Sequence, residues 1–188
     1  MLEPFAHSSG PKDAKIALVG EGWGEQDALI GKPFQGYSGQ ELTRMLNEAG
    51  IIRRECFLTN VFNFRVKDVS ELCGTKSEVG GDYPLPHLGK TGQYLHPRYF
   101  PHLARLQEEL EIVKPHVIVA LGATACWALL GTNGLASLRG TVAMAHNLPL
   151  KVLPTYSPSG VMRNWAWRPI TVADLMKAKK EKIGRAHV

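Results

Sequence analysis

Two short apolar runs, Lys15-Ile-Ala-Leu-Val19 and His116-Val-Ile-Val-Ala-Leu121, constrain this chain more than any other feature. A strand with one wet face alternates apolar and polar residues, whereas a strand covered on both faces reads as a continuous apolar run. Each run stops at a glycine, Gly20 and Gly122, and the second is preceded by Lys114-Pro115. Further strands are predicted at Glu55–Asn60 and Leu150–Leu153. Between the second and third strands, Leu103, Leu106, Leu110 and Val113 recur at helical spacing, giving the crossover helix that a parallel pair requires. Ala123 to Leu130, stopped by Gly131, predicts another helix. These elements predict a three-layer α/β/α sandwich around a central, mostly parallel four-stranded sheet, with residues 1–188 forming one domain.

The first strand feeds a loop, residues 20–39, that carries six glycines in its two glycine-rich ends along with Glu21 and Phe34. Ligands of open parallel sheets bind at the carboxyl ends of the strands, so Glu21 stands where chemistry is expected. Gly20-x-Gly22-x-Gly24 lacks the third glycine spacing of a dinucleotide fingerprint, and no Gly-Lys-Ser/Thr follows to make a P-loop. Ser38-Gly-Gln-Glu41 reads as a capping box opening a helix with Leu42, Met45, Leu46 and Ala49 on its apolar face and Gly50 as its stop. Thr171 and Asp174 show the same spacing near the start of the last helix, which is expected to begin near Pro169 and to run into the basic tail. Residues 65–97 form an unusually long connection rich in glycine and proline.

A formal charge of +5 permits an acidic partner such as nucleic acid without demanding one. Cys56, Cys73 and Cys126 are odd in number and widely spaced, which argues against a disulfide framework or a zinc knuckle. Seven histidines, among them His87 and His187, show no local metal-ligand pair. No apolar segment approaches the ~20 residues that span a bilayer, so a soluble, cytoplasmic protein without membrane contact is expected.

Three strand exits then supply one coherent set of groups: Glu21 and Phe34 from the first, Asn60 from the second, and Ser157-Pro-Ser159 from the last. An asparagine amide both donates and accepts and so matches the edge of a pyrimidine, while an aromatic face stacks on its ring. A carboxylate can orient water and stabilise positive charge growing on a sugar.

In these motifs the chain resembles the uracil-DNA glycosylase superfamily, especially its thermostable bacterial and archaeal branch and the glycosylase-like domains associated with phage DNA polymerases. The family pattern Gly-Glu-Ala-Pro-Gly followed by Gly-x-Pro-Phe-x-Gly-x-Ala-Gly stands here as Gly20-Glu-Gly-Trp-Gly24 and Gly31-Lys-Pro-Phe-Gln-Gly-Tyr-Ser-Gly39. Thr59-Asn60-Val61 is similar to the family's Thr-Asn-Val, and Tyr156-Ser-Pro-Ser-Gly-Val-Met-Arg163 to its Tyr-His-Pro-Ser-x-x-x-Arg. The resemblance implies that Glu21 acts on the attacking water and the sugar cation, that Phe34 and Gly22 border the base, and that Asn60 reads the base edge. It further implies DNA contacts from Ser38, Ser159 and Arg163, with Val161 and Met162 where the family inserts an apolar wedge into the base stack.

Two departures follow from the same comparison. The family's late-loop histidine is replaced by Ser157, a shorter, neutral donor. The thermostable branch binds an iron-sulfur cluster through four cysteines, whereas this chain has three at unmatched positions, so no cofactor is expected. Two function classes therefore stand side by side. One is a monofunctional glycosylase that hydrolyses the N-glycosidic bond of uracil or another deaminated base; the other is a non-catalytic DNA-binding module of a replication or repair assembly. DNA is the expected partner of both, a replicative polymerase is a further candidate, and a monomer is expected.

Overall fold

The computed structural model describes residues 1–80 and 93–183. The centre of the 65–97 connection, including His87, and the tail carrying Arg185 and His187 lie outside the described residues. The chain runs β1 (Ile16–Gly20), α1 (Glu25–Ile30), α2 (Tyr37–Glu48), β2 (Phe57–Asn60), β3 (Cys73–Gly74), α3 (Lys76–Val79), β4 (Tyr94–Leu95) and α4 (Phe100–Val113). It continues through β5 (Val117–Leu121), α5 (Ala123–Leu130), α6 (Leu135–Leu138), β6 (Ala143–Met144), β7 (Lys151–Thr155), α7 (Pro158–Arg163) and α8 (Arg168–Ile183).

The main sheet has the order β2-β1-β5-β7-β6, and β2, β1, β5 and β7 are all parallel. It contains five strands rather than the four expected. The fifth, β6, is a two-residue edge strand antiparallel to β7, too short to show a period in the sequence. Strands β3 and β4 pair with each other as a separate small hairpin inside the long connection.

Alternate residues of each central strand feed opposite cores. Ala17, Val19, Ile118, Ala120 and Val152 pack with Leu106 and Leu110 of α4 and Trp127 of α5. Ile16, Leu18, Val117, Val119, Leu121 and Leu153 pack with Leu42, Met45 and Leu46 of α2 and Leu175 of α8. That division is the physical reason for the uninterrupted apolar runs, because neither face of β1 or β5 meets water. Every side chain of β1 is buried, so the polar groups that belong to function can stand only where the strand ends.

Both expected capping boxes are replaced by tertiary contacts. Helix α2 starts one residue before Ser38, with Gly36 as its N-cap, and Glu41 is buried between Arg168, whose Nε donates at 2.6 Å, and Arg44 at 3.1 Å. Helix α8 starts at Arg168 with Pro169 in its first turn, a position that tolerates the missing N–H. Thr171 therefore lies within the helix and donates to the Trp167 carbonyl, while Asp174 accepts from Thr155 at 2.7 Å and from Arg139 at 3.0 Å. Residues 53–55 form a single 3-10 turn, so β2 begins two residues later than expected. In contrast, α5 ends at Gly131 in the left-handed region, as the sequence predicts.

Candidate active site

The parallel strands end side by side, and the order of the sheet sets the order of the site: Asn60 on β2, Gly20 at the end of β1 with Glu21 just beyond it, Gly122 and Thr124 beyond β5, and Ser157 beyond β7. The first two exits are locked together by the backbone. Val61 N–H donates to the Gly20 carbonyl and Phe62 N–H to the Glu21 carbonyl, both at 2.9 Å.

Gly20 is the point of closest approach between the first two exits. A Cβ there would lie 2.5 Å from Asn60 Oδ1 and 2.7 Å from Phe34 Cζ, so the amide and the ring edge converge on the space that glycine leaves. Phe34 reaches that position through a strained backbone, with φ at +56°. Its carbonyl is held by Arg53 Nη2 at 2.7 Å, and the same guanidinium donates to the Gly39 carbonyl at 2.9 Å. Gly39 is obligatory for the same turn, since a Cβ would meet the Phe34 oxygen at 2.0 Å. Asp27 of α1 braces the other side of the loop, accepting from Gln35 N–H at 2.6 Å and Gly24 N–H at 3.2 Å.

Asn60 is 1% exposed, and neither its Oδ1 nor its Nδ2 has a partner among the described residues. Leaving buried polar atoms unpaired costs roughly 1–3 kcal/mol per group, which makes Asn60 a candidate for completion by a ligand. The strand end behind it is the opposite case. Arg105 of α4, itself 1% exposed, donates through Nη2 to the carbonyls of Asn60 at 2.7 Å and Val61 at 2.8 Å. Its Nη1 bonds Glu109 at 2.9 Å and Thr59 at 3.1 Å, while Glu109 also accepts from Thr59 at 2.7 Å and from Phe5 N–H at 3.1 Å. Burial lowers the Arg105 pKa and Glu109 opposes that shift. Nearby, burial and the Arg105 charge push His102 down to about 4. Its neutral ring can then accept from Asn63 N–H at 3.4 Å.

Glu21 is half-buried, and its Oε2 accepts the Thr124 hydroxyl. Gly22 packs against the loop after β2, where a Cβ would meet Val66 Cγ2 at 2.5 Å. Ser157 is the N-cap of α7: its Oγ accepts from Gly160 N–H at 3.1 Å and lies 3.3 Å from Ser159 Oγ. Its proton is left available, because a hydroxyl that accepts one bond can donate another. Ser38 lies in the first turn of α2, and Ser159, Met162 and Arg163 are exposed. Val161 differs from its expected wedge role. It is fully buried in the core shared with α2 and α8 and cannot enter a base stack.

A model of the uracil DNA glycosylase superfamily matches residues 7–181. The chain belongs to that superfamily. It is 31% identical over 178 residues to the type-4 uracil-DNA glycosylase of Thermotoga maritima, covering 90% of this chain and 79% of that protein. The type-4 uracil-DNA glycosylase of Saccharolobus solfataricus is 27% identical over 179 residues, covering 91% and 73%, and that of Archaeoglobus fulgidus 28% over 160 residues, covering 81% and 69%.

The three cysteines of the chain are free thiols that lie apart in the fold. Cys56 and Cys126 are buried, and burial pushes both up to about 11, which keeps them as unreactive thiols. Cys73 lies in the small hairpin, and no group of three or more metal-ligating side chains gathers among the described residues. The same residues contain no helix long and apolar enough to cross a membrane.

Three supports of the site escaped the sequence reading. Arg53 looked like one surface cation among many. Thr124 follows the apolar run of β5 without charge or aromatic character. Arg105 and Glu109 carried a usable signal, since their four-residue spacing places an ion pair on the face of α4 that also presents Leu106 and Leu110.

Proposed function

We propose that this protein is a monofunctional DNA glycosylase that removes uracil from DNA by water attack on the N-glycosidic bond. The observation that carries the reading is the buried Asn60 amide, with both polar atoms unpartnered, beside the Phe34 ring and one strand away from Glu21. The family membership and the type-4 uracil-DNA glycosylase relatives support the same reading.

In this mechanism the nucleotide leaves the stack and its base is received beside the exits of β1 and β2, where Gly20 lets Asn60 and Phe34 pack close together. Phe34 lies against the ring, and the Asn60 amide donates to one polar atom of the uracil edge while accepting from its N–H. Glu21 orients water toward the anomeric carbon and stabilises the oxocarbenium character of the sugar. Ser157 donates to the base as negative charge grows on it, in place of the longer histidine of the family pattern. Met162, exposed at the end of α7, is the wedge that fills the vacated stack, with Arg163 beside it for phosphate. No amine nucleophile takes part, so the strand stays intact at an abasic site.

One observation favours the alternative of a non-catalytic DNA-binding module: Ser157 already serves as a helix cap. Incubation with labelled oligonucleotides containing uracil, hypoxanthine or xanthine, followed by alkali, separates the two readings. Uracil excision is expected, and Glu21→Gln is expected to slow it about 10²–10⁴-fold while DNA binding persists. Binding without excision of any of the three bases by the wild-type protein would establish the module instead.

A further inference from the structure

We infer that Thr124 is a positioning residue for Glu21, placing one carboxylate oxygen in a fixed bond so that the other faces the attacking water. The inference rests on the catalytic reading of Glu21 given above and adds a fourth strand exit, that of β5, to the site.

Glu21 sits at the end of β1, where the strand stops and the glycine loop begins. Its side chain has three rotatable bonds and stands half-exposed, so the backbone alone does not fix the carboxylate. Thr124 supplies the missing constraint. It is 4% exposed, lies in the first turn of α5, and directs its hydroxyl to Glu21 Oε2 across 103 residues of sequence. A threonine is well suited to the task because branching at Cβ stiffens χ1. Its hydroxyl has one proton, and that proton is committed to Oε2, leaving Oε1 to accept from water.

The platform under Thr124 is rigid for visible reasons. β5 is the centre of the sheet, flanked by β1 and β7, and it turns into α5 through Gly122 at φ +95°. Gly122 N–H donates to the Thr155 carbonyl of β7 at 2.9 Å, and a Cβ on Gly122 would lie 3.1 Å from Ser157 Cβ. The β5 turn therefore touches the Ser157 exit on one side and holds Glu21 on the other. Preorganisation of this kind acts on rate rather than affinity, because the carboxylate meets water and sugar charge in the transition state and contacts little of the bound DNA.

The test compares Thr124→Val, which keeps shape and loses the donor, with Thr124→Ser, which keeps the donor. Single-turnover excision from a uracil oligonucleotide gives the rate. Affinity is measured with an oligonucleotide carrying 2′-fluoro-2′-deoxyuridine, whose glycosidic bond resists hydrolysis. Thr124→Val is expected to lower the rate about 10- to 100-fold, the loss of one bond to a charged group, with affinity and melting temperature unchanged. Thr124→Ser is expected to restore most of the rate, and Thr124→Val is expected to add nothing on a Glu21→Gln background. A wild-type rate in Thr124→Val, equal slowing in Thr124→Ser, or a parallel loss of affinity would overturn the inference. Should Thr124→Val melt early, Thr124→Ser alone must keep the rate and Thr124→Ala must lose it. The two layers of the reading fail differently. Wild-type excision by Glu21→Gln removes the role of Glu21 and this inference together, whereas an inactive Glu21→Gln beside a fully active Thr124→Val removes only Thr124.

Discussion

Thr59 and Asn60 are neighbours on β2, both buried, yet their polar atoms have opposite fates. The Thr59 hydroxyl belongs to a network with Arg105 and Glu109, in which the carboxylate oxygens and four of the strand and loop groups around them find partners, while Arg105 Nε has none among the described residues. The Asn60 side chain, one residue on, packs over Gly20 with neither polar atom partnered among the described residues. Largely satisfied buried polarity holds the strand end in place, and the unsatisfied buried amide one step further along is the group that the proposed function assigns to the base. Arg105 links the two by gripping the Asn60 carbonyl, so the backbone at Asn60 is fixed while its amide has no partner among the described residues.

The largest expected effect breaks the closed half of this comparison. Arg105→Met should destabilise the fold by about 3–5 kcal/mol, because Glu109 is left as an uncompensated buried charge. Denaturant unfolding measures it, and a loss below about 1 kcal/mol would mean that the network is no more than a surface-like pair. The open half should respond in the opposite sense. Asn60→Ala is expected to cut uracil excision about 10²–10³-fold with little change in unfolding free energy, since no protein hydrogen bond is lost. A destabilised but active Asn60→Ala would show that the amide is structural after all.

The smallest effect sharpens the comparison through pH. His102 is pushed down to about 4 in the folded protein from an ordinary value of 6.5. The unfolded chain therefore binds the extra proton first, and stability that is fully present above pH 6.5 is lost as pH falls toward 4. After discounting for partial exposure this amounts to roughly 1–2 kcal/mol. His102→Asn should flatten the unfolding free energy across that window, and an unchanged slope would assign the acid sensitivity to other groups.

Much of this was legible before any coordinates. Glu21, Phe34 and Asn60 could be nominated because each lies at or just past a strand whose apolar run and stop residue were readable. The capping boxes mislead for a physical reason: Glu41 and Asp174 carry buried charges that the partly buried Arg168 and Arg139 hold more firmly than a helix end could. Val161 misled because the late loop is a short helix here, and its period turns Val161 inward while Met162 faces out.

By itself the sequence determined the layers, because short apolar runs alternating with helical periods leave a doubly covered parallel sheet as the economical burial, and it determined the residue types at three strand exits. Tertiary structure alone decided strand order, and with it the neighbours at the site. Only when β5 lies between β1 and β7 does Thr124 reach Glu21, and only when α4 packs beneath β2 does Arg105 reach Asn60. Such contacts span 103 and 45 residues of chain, a separation at which no local pattern carries the information.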